Sequence, residues 1–357
     1  MSVVGVRGVP RGVPLVVVTR GGRIESVHRG SVAVVTESGR LVASAGDPRQ
    51  NVYLRSSAKP FQLLPFLAAG GEERFDLATE DIALAAASHG GERAHVQAAE
   101  AMLAKGGFTA ADLHCGAHPP MHEESARALA FARQIPGALH NNCSGKHAAM
   151  LLACRLLGAD PRGYWRRSHP LQRRILRAVS RMTGIPKARI GLAVDGCSVP
   201  CFRVPLRALA LGYARLVGDG SPGETGAEAA ARRRVAGAMA TAPDMVAGTG
   251  RFTTHVMREF GGALVAKEGA EGVYAVGIPA AVARRRGGEA VGIAIKIADG
   301  AERGRDAVTV EALRQMGLVS GVRLARLRRL ALKPVRNVRG DVVGSLSTVF
   351  RLARGAA

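Results

Sequence analysis

Strand-like alternation at both ends of the chain, with helical periodicity between them, constrains the fold more than any other feature. Residues 15–54 alternate apolar and polar positions. Ser31-Val-Ala-Val-Val-Thr36 and Leu41-Val-Ala-Ser44 read as two arms of a hairpin around Glu37-Ser-Gly-Arg40. Alternation returns at Val273-Tyr-Ala-Val-Gly277 and 290–298, which read as adjacent antiparallel strands, and at 341–350, a closing strand. A chain with strands at its two ends joins them in one sheet and packs its helices around it, an α+β fold. Residues 15–350 are expected to form one domain, a mixed sheet lobe plus a helical lobe.

The middle carries the helical runs. One begins near Ser56–Lys59, because Pro60 is tolerated only in a first turn. Thr79 to Ala87 is a second, with Thr79 as cap and Glu80 and Asp81 in its first turn. Further helices are expected over 92–105, 121–133, 143–157, 170–183, 206–217, 227–240, 253–260 and 308–316. Gly158 stops the run from Cys143. Residues 190–194 read as a short buried strand.

The 357 residues, 47% of them hydrophobic, suffice for a sizeable core. The formal charge is +22, nearly all of it arginine. The clusters at Arg166-Arg167, Arg173-Arg174, 232–234, 284–286 and 323–329 are dispersed and lack interleaved aromatics, so they read as solvated surface rather than a nucleic-acid face. Five cysteines, an odd number, argue against a closed disulfide framework. Residues 1–15 are broken by Pro10 and Pro14 and carry no leader pattern, and no apolar run is long enough to span a membrane. A reducing cytoplasm is the expected compartment.

Arg55-Ser-Ser-Ala-Lys-Pro60 contains Ser-x-x-Lys. On a helix, Ser56 and Lys59 share a face. A serine hydroxyl needs a base, and lysine serves only when burial or a second cation lowers its pKa. Alone, the motif more often marks a capped helix start with a surface lysine. Two other segments add to it. Ala86-Ala-Ser-His-Gly-Gly-Glu92 sets Ser88 in a turn after an apolar helix, and Lys267-Glu-Gly-Ala-Glu-Gly272 sets a lysine just ahead of a strand. Ser-x-x-Lys, a lone Ser and Lys-x-Gly, in that order, resemble the penicillin-recognising serine enzymes, in which the last lysine supplies the second cation.

Asn141-Asn-Cys-Ser-Gly-Lys-His147 opens a helix, with Cys143 and Lys146 at i and i+3. A helix N-terminus stabilises a thiolate. Val194-Asp-Gly-Cys-Ser-Val-Pro200 presents Cys197 on a sharp turn. Two thiolates suit zinc, with Lys146 a third ligand only when deprotonated; the other reading is inert core thiols. Cys154 lies on the apolar face of its helix and reads as core.

Taken together and in order, these segments, with Val246-Ala-Gly-Thr-Gly-Arg251, resemble the asparaginase II family, the rhizobial-type class 3 enzymes. The resemblance implies a serine β-lactamase-like fold and hydrolysis of L-asparagine to L-aspartate and ammonia. It implies Ser56 as nucleophile, Lys59 as its base, and Ser88 with Lys267 as a second serine–lysine pair. It also implies zinc held by Cys143, Lys146 and Cys197, with Asp195 supporting the site, and a homodimer. Arg55 and His147 are candidates for binding substrate carboxylate. Three positions depart from the family pattern: Gly90, Ser198 and Thr253 stand where serine, glycine and aspartate are usual. The competing readings are a penicillin-type peptidase or β-lactamase, and a non-catalytic zinc- or nucleic-acid-binding protein.

Overall fold

The computed structural model describes residues 12–283 and 288–355. The basic run 284–286 and most of the first fifteen residues lie outside the described residues.

Both ends of the chain enter one antiparallel sheet. In chain order its strands and those of a smaller sheet are β1 (Val13–Arg20), β2 (Arg23–Thr36), β3 (Leu41–Ala45), β4 (Asn51–Tyr53), β5 (Gly191–Val194) and β6 (Pro200–Pro205). They continue with β7 (Val265–Gly269), β8 (Val273–Ile278), β9 (Val291–Ile297), β10 (Val335–Arg336), β11 (Val342–Thr348) and β12 (Ala353–Arg354). The main sheet runs β10-β11-β1-β2-β9-β8-β7, with β3 paired to β2 and β12 to β3. Val16 opposite Thr348 joins the N-terminal arm to the C-terminal one. The small sheet is β4-β6-β5.

The sheet is covered on both faces, which explains why β8 and β9 are apolar on both sides rather than alternating. The helix Leu206–Val217 packs on one face. It comes close enough that a Cβ on Gly292 would sit 1.8 Å from the Ala210 carbonyl oxygen, so only glycine fits there. The helix Glu302–Gln315 packs on the sheet as well, and Arg305 lies over the Tyr274 ring. In the β7–β8 register Lys267 pairs with Ala275, on the face of Gly277 and Leu206–Val217. Glu268 pairs with Tyr274 on the opposite face, toward Arg305. Beyond the sheet, the helices Lys59–Leu67, Thr79–Ala85, Ser144–Leu156 and Gly226–Thr241 pack on one another.

Several local expectations shift. Thr79 is the first helical residue rather than the cap; the Asp81 carboxylate accepts the Ala78 N–H instead. Residues 191–194 form an edge strand with Val194 exposed, not a buried one. Lys267 stands inside β7 rather than ahead of a strand. Strand β6 and the helix Gly321–Ala331 lack a clear sequence signal, the first because proline stands at both its ends. Arg232 is buried against Glu224 and the Gly218 carbonyl, not solvated. The five cysteines are all free.

Candidate functional site: a lysine–serine pair beside two thiols

The first element of the site is a 3-10 turn, Arg55–Ala58, running into the helix that starts at Lys59. Arg55 adopts φ 49°, a left-handed conformation uncommon outside glycine and typical of strained functional positions. Ser57 is buried and its hydroxyl donates to the Leu54 carbonyl at 2.5 Å. Ser56 is half-buried, and among the described residues its side chain has no hydrogen-bond partner. The turn therefore fixes its backbone through Ser57 and leaves Ser56 open.

Lys59 is 1% exposed. Its Nζ donates to the carbonyls of Ala87 and of Asn142, the latter at 3.2 Å, and lies 3.0 Å from Ser88 Oγ. The structure thus pairs Lys59 with Ser88 rather than with Ser56. Ser88 is held from behind, its N–H donating to the Val246 carbonyl at 2.9 Å. The neighbouring His89 accepts the Gly91 N–H at Nδ1, so its Nε2–H donates to Ser144 Oγ at 3.0 Å. Gly90 stands where the family carries serine; a Cβ there would meet Glu92 Oε1 at 2.9 Å.

Lys267 is fully buried, and its Nζ donates to the Glu268 carbonyl at 3.1 Å. Burial, reinforced by the charge on Lys59, pushes this amine well below its ordinary value, despite the opposing Glu268 carboxylate. The sequence reading made Lys267 the second cation. In the structure Lys267 is itself driven toward the neutral form, because β7, although last in the sheet order, is buried along its whole length and water that would solvate an ammonium is excluded.

The thiols gather on the other side of Lys59. Cys143 caps the helix Ser144–Leu156, and Lys146, one turn on, donates to Cys197 Sγ at 2.9 Å. The contact between the two thiols pushes Cys143 well below and Cys197 above the usual thiol range. The two thiols therefore titrate as one unit, and ionising one disfavours ionising the other. Burial opposes a charge on Lys146, but the Cys197 and Cys143 sulfurs outweigh it and raise the amine. Cys197 lies in the β5–β6 turn, where Ser198 takes φ 75°. A positive φ favours glycine, in line with the expectation that glycine is usual at this position.

Asp195, in the same turn, accepts Arg55 Nε–H and the Gly196 N–H, each at 2.8 Å. Burial raises its carboxyl, but Lys146, the Gly196 N–H and Arg55 together hold it below the usual range. His147 is buried. Its Nδ1 lies 2.6 Å from the Tyr164 hydroxyl, which also accepts the His114 N–H. Burial, with Lys146 and Lys59, keeps this ring neutral. Tyr164 and Asn142 were not singled out in the sequence; Asn142 stood inside the most specific motif, whereas Tyr164 gave no signal.

The donor chemistry suits zinc. Two sulfurs and one amine converge; as thiolates the sulfurs are soft ligands, and zinc would have to displace the protons that Cys197 and Lys146 hold without it. Among the described residues no three His, Cys, Asp or Glu side chains gather around a point, so Lys146 would be the third protein donor of such a site.

Sheet and cluster define a mixed α and β protein with an antiparallel sheet and a buried Lys59–Ser88 contact near two free thiols. The chain belongs to the L-asparaginase II family, whose family model matches residues 16–348. That family is one of amidohydrolases acting on linear amides. No curated protein matches the chain in a sequence comparison. A solved structure titled as Mglu in its native form in the presence of 4.3 M NaCl is 19% identical, with a TM-score of 0.35. The alignment covers 82% of this chain and 63% of that one, so this chain spans less than two-thirds of that protein's length. Among the described residues no helix is long and apolar enough to cross a membrane.

Proposed function

We propose that the chain hydrolyses L-asparagine to L-aspartate and ammonia, and that the lysine–serine cluster carries the chemistry. The observation that carries this reading is the Lys59 environment. Two main-chain carbonyls take two N–H bonds of Nζ, and the remaining direction faces Ser88 Oγ at 3.0 Å. To act as a base, Lys59 must turn its lone pair to a serine hydroxyl, and Ser88 Oγ is the one within hydrogen-bond reach. Lys59 is then a base within reach of the serine chemistry.

Ser56 is the nucleophile. Its Oγ attacks the side-chain amide carbon of asparagine and loses its proton toward Lys59. Apo contacts of this kind are commonly open and close only with substrate bound. Ser88, bonded to Lys59, relays a proton to the departing nitrogen, and the C–N bond breaks to release ammonia. Water then attacks the acyl-serine and releases L-aspartate, returning the proton to Ser56. The second pair, Ser88 with Lys267, would form when Lys267 turns from the Glu268 carbonyl, its hydrogen-bond partner in the structure, toward Ser88.

Arg55 is anchored through Nε on Asp195, which leaves its two terminal amino groups to meet the substrate carboxylate. His147 stands beside Lys146 as a second, neutral donor. Zinc would be held by Cys143, Lys146 and Cys197, and when bound it supplies a positive centre for orienting the substrate's amino-acid end. Asp195 braces that site. The 15–350 unit then acts as one catalytic domain of serine β-lactamase-like fold, in the cytoplasm, as a homodimer. An ammonia-release assay on L-asparagine, with and without chelator, tests the reading; no release from asparagine at any protein concentration rejects it.

A further inference from the structure

On the far face of β7 from Lys267 lies a cavity of about 470 Å³ that the proposed reaction does not use. Its floor is made of ions. The Glu268 carboxylate accepts Arg251 at 2.6 Å and the Thr253 hydroxyl at 3.3 Å, and lies 3.7 Å from Arg305. Arg305 donates to Asp306 at 2.8 Å. Glu268 and Arg305 are both more than nine-tenths buried. The rim is formed by Glu302, Arg303 and Lys333, which are exposed. Small-molecule sites typically enclose about 300–1,000 Å³, with a few convergent polar groups. This cavity meets both conditions, and its lining carries one more cation than carboxylate.

We propose that this cavity is a second binding site, for a small amino dicarboxylate such as the reaction's own product, and that it acts on Lys267 through Glu268. The proposal rests on the asparaginase reading only for the choice of ligand. An amino dicarboxylate carries two carboxylates and one ammonium, the charge complement of the lining. The coupling is built into β7. Glu268 is clamped by its side chain on the far face, while its main-chain carbonyl accepts Lys267 Nζ on the near face at 3.1 Å. A ligand carboxylate that draws Arg251 or Arg305 away loosens the clamp and moves the carbonyl that holds the lysine.

Calorimetric titration of L-aspartate into the full chain tests this. The wild-type chain is expected to bind two equivalents. The rim variant Arg303→Glu with Lys333→Glu, both at exposed positions, is expected to weaken the second by at least about tenfold. Succinate, which lacks the ammonium, and inorganic phosphate are the comparison arms, and both are expected to compete poorly. With asparagine as substrate, inhibition by aspartate is expected to be mixed in the wild type and purely competitive in the rim variant. A single equivalent in the wild type overturns the proposal. So does a second equivalent that the rim variant retains, or one that phosphate displaces equally well. The titration needs no turnover, so an inactive chain binding two equivalents defeats the asparaginase reading and leaves the second site standing.

Discussion

Lys59 Nζ lies 3.0 Å from Ser88 Oγ, a contact across 29 residues of sequence, and makes no hydrogen bond to Ser56 three positions before it. The first prediction follows from that pairing. Ser88→Ala is expected to lower asparagine hydrolysis by about 10²–10⁴-fold, the usual worth of a positioned proton-transfer group. Ser56→Ala and Lys59→Ala are each expected to abolish it. Lys59→Ala also leaves the Ala87 and Asn142 carbonyls without their donor, at a cost of roughly 1–3 kcal/mol. Ammonia release beside thermal melts separates the two effects; a Ser88→Ala enzyme with full turnover would remove the relay.

Lys267 gives a pH-dependent stability prediction. Its folded-state pKa is depressed, whereas in the unfolded chain it is about 10.4. Between those values the unfolded chain binds more protons, so stability is lost as pH falls from the unfolded value. Lys267→Met is therefore expected to melt higher than wild type at pH 7, with the advantage vanishing near pH 10.5, while losing activity. Melting curves across pH 7–10.5 check this, and an advantage that grows with pH contradicts it.

Asp306 has the opposite pattern. Burial pushes its carboxyl up to about 6, against the pull of Arg305. Its contribution to stability is full below about pH 4 and is lost as pH rises through 6, by up to about 3 kcal/mol. Asp306→Asn does not titrate. Wild type is thus expected to lose stability relative to Asp306→Asn between pH 4 and 7, measured by denaturant unfolding at each pH.

Metal analysis of the purified chain is expected to show zinc near one per chain. Cys143→Ser and Cys197→Ser are each expected to strip it. Lys146→Ala, which removes the third donor, is expected to weaken retention during dialysis against chelator. Full zinc in the Cys197→Ser protein would refute the ligand set.

Ser198 occupies φ 75°, where a side chain is strained. Ser198→Gly is expected to raise stability by up to about 1 kcal/mol, the strain relieved exceeding the entropy glycine adds to the unfolded chain. Chemical denaturation midpoints at constant m-value measure it.

Much of the fold could be read in advance because its signals are local. The β2–β3 hairpin follows from Val-rich alternation around Ser38-Gly39. The helix Ser144–Leu156 follows from its apolar period and the positive-φ Gly158 behind it. The sharing of one sheet by both termini followed from alternation at both ends, though the pairing of Val16 with Thr348 needed the coordinates. Strand β7 is hidden in the sequence because Lys267 and Glu268 are charged residues in a buried edge strand. Their burial makes sense only once an ion network appears behind one and a serine–lysine cluster before the other.

Sequence alone determined which chemical groups this protein brings to bear: the Ser-x-x-Lys turn, the thiols flanking Lys146, and the order of elements that carries them. Tertiary structure alone decided how protons and partners are shared among those groups. It gave Lys59 to Ser88, coupled the thiols of Cys143 and Cys197, and drove Lys267 toward neutrality. The reason is physical. A side chain's period and spacing are set by its neighbours in the chain, but its charge depends on water excluded and ions approached by segments distant in the sequence, 29 residues away for Lys59 and Ser88 and 51 for Lys146 and Cys197.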